Sequence, residues 1–476
     1  MTRATTNRER ERASIDGVDA LGTRPIGRLL WHACSQTTLS VGIYGIYALT
    51  NAWFVARGVG ETALAAVNLV APVLLLLGAV STTVGVGGAS LVSRALGAAR
   101  PRAAAHAAGS AFLVFWSVAA LVTFAGLVWI DPLLQVLGAS GTMLEHARPY
   151  ALILIAGSVF ATGFSALVRA EGRLFFSTML WVLPVVVQII LDPVLIFGFD
   201  LGVAGAALGT VGGQAVSAAM AVWFFFVQRG RPYRIGLADL RPHLPTIAAM
   251  LAIGAPSFLA GFGAMLLAVL VNAALAANAV IAGATAVAAF AVCARIQTFV
   301  TMPQLGITQG IQPIVGYNAG RGLVSRVART RTLALGATTA YGTMTAIVVV
   351  LLADPAVALF LDDPEVAEVA AAALRIIAIG FAFSGIPPLV SAYFQSIGRP
   401  RPSYLISVGT LVLVKLPLVF ALGPLGPMGV WIALPAGEAL SAAAAVLVLR
   451  RLDPARRVPS SRRRTIATAT AGGVGE

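Results

Sequence analysis

Long apolar runs separated by short polar breaks set the pattern of this chain. Twelve runs reach the roughly 20 mostly apolar residues that a helix needs to cross a bilayer core. They lie at 28–56, 63–93, 105–130, 147–168, 175–198, 203–228, 245–278, 282–316, 327–353, 366–395, 403–423 and 427–449. The Gly and Pro inside them do not argue against helix as they would in water. Within several runs the polar residues recur in steps of three and four, the spacing of one helix face. The first run carries Thr37, Ser40, Tyr44, Tyr47 and Asn51 in this way, and the fifth carries Trp181, Gln188 and Asp192. Thr210, Gln214 and Ser217 follow in the sixth, Gln297, Thr301, Gln304 and Thr308 in the eighth, and Ser384, Ser391 and Gln395 in the tenth. Any single Ser or Thr in such a stripe is accounted for as interhelical hydrogen bonding. Five stripes on separate helices imply walls of a watery cavity.

Composition narrows the class. Hydrophobic residues make up 58% of the 476 and charged residues 11%, against about 25% charged in a soluble domain. A soluble globule has too little interior to hide that much apolar surface, and a disordered chain cannot keep it solvated. The expectation is an all-α integral membrane protein. The net charge of +14 raises nucleic acid as a partner, but no basic face with interleaved aromatics supports it. Placement explains the charge instead. With the N-terminus inside, 28 of the 33 Lys and Arg fall in inside segments, and only Arg57 and Arg148 fall in outside loops. That is a strong positive-inside signal, with both ends cytoplasmic in the cytoplasmic (plasma) membrane. Residues 1–24 and 451–476 are expected to be loose cytoplasmic tails. The first apolar stretch is too long for a cleaved signal peptide. Cys34 and Cys293 sit in apolar runs without metal spacing and read as small packing residues.

The chain also matches itself. At an offset near 223, Thr62–Ala66 aligns with Thr285–Ala289, Gly97 with Gly320, Asp131-Pro132 with Asp354-Pro355, and Gly157 with Gly380. After small insertions Gly172-Arg173 meets Gly398-Arg399 and Pro193 meets Pro417. The order of these matches through equivalent loops implies two repeats of six spans in the same orientation. Their axis lies along the membrane normal, an architecture of alternating-access transporters. The expected division is an N-terminal lobe at 25–228, a cytoplasmic linker at 229–244 and a C-terminal lobe at 245–450.

Few ionisable groups lie deep in the spans. Arg295, Lys415 and Glu438 are the buried charges expected in the C-terminal lobe, with Lys415–Glu438 or Arg295–Glu438 as candidate pairs. Asp192 has no basic residue near it in sequence. A bare charge in the bilayer centre costs about 2.5–3.5 kcal/mol on insertion scales, so each needs a partner or a function. An isolated carboxylate suits reversible protonation, and with Gln188, Asn51 and Thr210 it offers oxygen ligands for Na+. No other metal site and no cofactor is expected. The four histidines lie near span ends or in loops without ligand spacing, which argues against an intramembrane metalloenzyme.

These residues resemble a known family. Tyr47–Arg57 (YALTNAWFVAR), Ser90–Arg100 (SLVSRALGAAR), Gln188–Gly205 (QIILDPVLIFGFDLGVAG), Pro303–Gly320 (PQLGITQGIQPIVGYNAG) and Ala392–Arg399 (AYFQSIGR) are similar to motifs of the multidrug and toxic compound extrusion (MATE) transporters. The resemblance covers about residues 25–450, and AYFQSIGR favours the DinF-like branch. The NorM-like glutamate eight residues after the span-seven proline is absent, since Ala264 stands there after Pro256. The resemblance implies a V-shaped pair of bundles that exports amphipathic, often cationic compounds against inward H+ or Na+ flow, acting as a monomer among membrane lipid. It implies an ion-coupling site at Asp192, Gln188, Asn51 and Thr210. The polar stripes supply the expected substrate cavity: Tyr44, Tyr47, Trp181, Gln214, Gln297, Gln304 and Gln395, with the aromatics suited to flat cations or to core packing. Two positions depart from the DinF-like pattern: Asn51 stands for the usual span-one aspartate and Gln188 for the usual span-five asparagine. One formal negative charge remains where two are usual. A flippase for a lipid-linked substrate is the alternative within the superfamily. A major-facilitator carrier shares the six-plus-six repeat, but the loop at Gly97–Arg102 lacks that family's acidic-basic pattern.

Overall fold

A computed structural model describes residues 17–160, 163–277, 280–361 and 363–454. Most of both expected tails, 1–16 and 455–476, lies outside the described residues, as do the side chains of Tyr44 and Tyr47. The described chain is helical, with no strand among the described residues. Six helices or helix series form the first half: α1 Ile26–Gly58, α2 Glu61–Gly97, α3 Pro101–Val128, α4 Gly141–Ala156 with Gly157–Phe160 and Ser165–Ala170, α5 Leu174–Gly198 and α6 Gly202–Val227. Six form the second: α7 Leu244–Ala276, α8 Val280–Gly320, α9 Val324–Leu351, α10 Pro364–Ala378 plus Phe381–Ser396, α11 Pro400–Leu425 and α12 Pro427–Leu452. They coincide with the twelve apolar runs. Pro193 removes a backbone donor near the end of α5, and a π turn follows at Val194–Gly198. The two segments of α10 are bent by 42°, just before the Pro387-Pro388 pair.

The repeat is visible in three dimensions. Each half has a short helix after its third span, Ile130–Val136 and Ala353–Ala358. Each pairs an aspartate of that helix with an arginine of the next span. Asp131–Arg148 lies at 2.8 Å and Asp354–Arg375 at 2.5 Å. The latter gives Arg375, placed within a span by the sequence, its acidic partner.

Packing gives the V. One hydrophobic core joins the two halves at the end that carries the basic loops, mixing Phe112, Phe115 and Leu167 with Ile311, Ile314, Tyr393 and Phe394. Toward the other end the core divides. Val55, Ile155, Ile196 and Ala207 belong to one branch. Val271, Leu374, Val419 and Trp431 belong to the other. At the joined end, glycines set the closeness of the lobes. A Cβ on Gly87 or Gly254 would run into the backbone of Met250 or Thr83, seating α2 on α7. A Cβ on Gly306 or Gly310 would meet Thr38 or Cys34, seating α8 on α1. The two seams are related by the internal repeat, and small residues let the backbones touch. Thr37 adds a hydrogen bond to the Gly306 carbonyl at 2.5 Å on the α1–α8 seam, and two more bonds cross between the lobes beside it: Ser90 of α2 to the Gln395 carbonyl of α10 at 2.6 Å, and Arg169 of α4 to Gln309 Oε1 of α8 at 3.1 Å.

Part of the expected N-terminal tail is structured. Residues 17–23 are helical. Val18 and Leu21 are buried there, Tyr317 donates to Asp19 at 2.7 Å, and Asn318 donates to the Leu21 carbonyl at 2.9 Å. Two apolar residues on one turn suffice to dock it, a signal too short to read as a span.

The linker is anchored as well. Arg231 forms a buried ion pair with Glu171, its guanidinium 4.5–4.7 Å from the ring centres of Phe224, Phe225 and Tyr233. Burial first, and the Glu171 carboxylate second, hold the Tyr233 phenol well above its usual range, so it stays neutral. The C-terminal half repeats the device with Asp453, Arg331 and Tyr393, whose hydroxyl donates to Asp453 at 2.8 Å. Removing one partner of a buried pair strands the other charge at a cost of about 3–5 kcal/mol. Glu171→Ala is therefore expected to lower the detergent-solubilised melting temperature sharply. Glu171→Leu with Arg231→Met should recover most of it. Equal losses in the single and double variants would show that the pair's charges are not what matters.

Candidate functional site

Asp192 lies one residue before Pro193, in the outer branch of the first lobe, where α1, α5 and α6 meet. It is 1% exposed. Asn51 Nδ2 from α1 and Gln188 Nε2 from one turn earlier on α5 each reach Asp192 Oδ2 at 3.4 Å. Gln188 Nε2 also reaches Thr210 Oγ1 of α6 at 3.1 Å, and that hydroxyl donates to the Ala206 carbonyl. Asn51, Gln188 and Thr210 are all buried. The four residues that the sequence grouped are thus one connected cluster on three helices.

The cluster is poorly furnished for a permanent negative charge. Both amide contacts are long and fall on one carboxylate oxygen. Asp192 Oδ1 has no hydrogen-bond partner, and a buried charge without its bonds is costly. Gly209 explains how the carboxylate fits, since a Cβ there would collide with Oδ1. Nothing in the sequence pattern flagged Gly209; a glycine one residue before a buried threonine is unremarkable in an Ala/Gly-rich helix. A proton or a small cation at Oδ1 would remove the deficit. The oxygens of Asp192, Asn51, Gln188 and Thr210 are hard donors, the type that suits Na+ as well as a proton.

The stripes assigned to cavity walls divide. Gln304 is 2% exposed, its amide donating to the Phe381 carbonyl at 3.1 Å and accepting from Ser384 at 2.8 Å. Gln395 is 1% exposed and exchanges bonds with Ser257 at 2.9 and 3.1 Å. Both are spent on helix packing and do not line a cavity, contrary to expectation. The Trp181 indole donates to Ser165 Oγ at 3.0 Å. Gln214 and Gln297 are half-buried.

The C-terminal charges also separate. Lys415 and Glu438 form a partly buried pair at 2.5 Å between α11 and α12. Arg295 is neither buried nor paired with Glu438; it is exposed. It lies seven residues before Met302, nearly two full turns, and so on the same face of α8. Met302 touches the position of Gly45 on α1. Arg295 thus lies on the face of α8 that meets α1 through Met302, farther from the joined end.

Two six-helix lobes joined at one end, parted at the other and carrying a buried polar cluster in the outer branch of the first define a multi-pass membrane protein of the transporter class. A model of the MatE family matches residues 37–194 and 261–421. The chain belongs to the MATE family, whose members are membrane transporters. Among curated relatives, the multidrug export protein MepA of Staphylococcus aureus is 26% identical over 435 residues, covering 89% of this chain and 94% of that one. An FAD transporter of Shewanella oneidensis is 26% identical over 439 residues, covering 90% and 95%. A solved structure described as the outward-facing conformation of a multidrug resistance MATE family transporter superposes with a TM-score of 0.85, at 24% identity over 93% of this chain and 99% of that one.

Proposed function

We propose that this protein is a secondary active multidrug exporter of the cytoplasmic membrane. It carries amphipathic, often cationic compounds outward by alternating access, in exchange for inward H+ or Na+. The observation that supports this reading is a lone, undersatisfied carboxylate buried in the outer branch of one lobe, where the two halves no longer share a core. The basic loops support a cytoplasmic joined end with both termini on that side, so the parted end would face outward. In that state Asp192 takes up the coupling ion. Neutralised, it no longer needs both amide donors, which loosens α1 against α5 and changes the wall that holds the cargo. One carboxylate sets one elementary charge for each cycle at this site. The lobes are paired within one chain, so a monomer suffices.

Arg295 favours a second reading of the cargo, in which an anionic compound docks on the opposite wall. The FAD transporter among the relatives carries that chemistry in its name. Inverted vesicles with an imposed H+ or Na+ gradient test both. Gradient-driven movement of several cationic dyes is expected, with one ion effective. Movement of anionic cargo alone, lost in Arg295→Ala, would replace the first reading by the second. No gradient-driven movement of either would overturn both.

A further inference from the structure

A second polar feature lies at the joined, basic end and belongs to neither the cluster nor the gap. A cavity of about 550 Å³ opens there between the lobes, walled by α2 and α3 on one side and by α7, α8 and the end of α10 on the other. Two arginines line it, Arg94 and Arg100. Arg94 is half-buried; its Nε donates to the Ser90 carbonyl at 3.1 Å, and its guanidinium lies against Gly398, where a Cβ would collide with it. Arg100 is exposed and stands just before the first turn of α3. Neither has an acidic partner among the described residues. The first turn of the 33-residue helix α7 also borders the cavity, but Pro245 lacks an N–H and the Thr246 N–H is already bonded to His243, so this turn offers only its dipole and the Thr246 hydroxyl. Apart from Thr246, the rest of the wall carries apolar side chains, Leu91, Ala95, Ala107 and Ile397 among them.

Two cations without acidic partners above a largely apolar wall match a phosphate that carries an acyl chain. We infer that this cavity binds the headgroup of an anionic phospholipid, with Arg94 and Arg100 on the phosphate and the apolar wall against the glycerol and first methylenes. Basic pockets between spans on the cytoplasmic side are suited to such headgroups. A soluble phosphate ester would satisfy the arginines but leave the apolar wall wet. Because both lobes build the cavity, a bound headgroup ties them together and stabilises the form in which this end is closed.

Native mass spectrometry and thermal melting test this on the full chain in nanodiscs of phosphatidylcholine, with or without phosphatidylglycerol. Phosphatidylglycerol is expected to remain bound and to raise the melting temperature. Arg100→Gln should lose the retained lipid and the thermal gain while keeping the melting temperature seen in phosphatidylcholine. Ala103→Trp, which fills the cavity and keeps both charges, should lose them too. Equal retention in these variants would overturn the site. An equal thermal gain from soluble glycerol phosphate would overturn the assignment to lipid.

Discussion

Replacing Asp192 with asparagine is expected to reduce gradient-driven efflux by about tenfold or more, because a neutral side chain removes the one carboxylate placed to exchange charge inside this wall. The fold should survive. Asparagine is nearly isosteric, Gly209 leaves the same space for it, and its amide can bond to Asn51, Gln188 or Thr210 within the existing cluster. Vesicle efflux together with a melting curve separates the two effects. Lost transport with an unchanged melting temperature supports coupling at Asp192. Unchanged drug accumulation with unchanged ion dependence would remove it from the mechanism. Asn51→Asp is the complement. It sets a second carboxylate against the first, and two carboxylates in one site resist ionising together. The pH or sodium dependence of efflux is expected to shift.

Much of this cluster was legible because its members are rare among so many apolar residues. Asp192, Gln188, Asn51 and Thr210 fall on inward faces by helical spacing alone, and they do meet. The same logic misplaced Gln304 and Gln395. Periodicity says that a face is polar; it does not say whether the face meets water or a neighbouring backbone. Gln304 meets the carbonyl exposed at the start of the second segment of α10, a break that no spacing rule announces. Arg295 was misread for the converse reason. Of the two candidate partners for Glu438, Lys415 on the neighbouring span takes it. Arg169, one of the 28 basic residues that the positive-inside pattern places in inside segments, is buried among Ser165, Ser177 and Gln309. The Glu171–Arg231 pair joins residues 60 apart, too far for local pattern to link. The repeat fared better, since its matched glycines are held by contact geometry at both copies.

Those matched glycines carry the second large prediction. Gly97 on α2 and Gly320 on α8 are equivalent in the repeat. A Cβ on Gly97 would strike the Tyr317 carbonyl, and one on Gly320 would strike the Arg94 carbonyl. Each helix thus needs a glycine where the other's backbone crosses it, and the crossing exists only while the basic end is closed. Overpacking a close contact costs about 1–3 kcal/mol, and here the cost falls on one conformer. About 5.5 kcal/mol reverses a 99:1 population, so Gly97→Leu with Gly320→Leu lies in the range that moves the protein largely out of the closed form. Each lobe's own outer core is untouched by either change, so both lobes should remain folded. Efflux is expected to fall steeply, and spin labels on the two lobes at the basic end should report longer separations. Gly336→Leu on α9, where a Cβ meets nothing within 4 Å, is the control and should leave both readouts unchanged. Wild-type label distances and efflux in the double variant would mean that the lobes do not part at this crossing. Alternating access would then need a different hinge, with α2 and α8 moving as one unit.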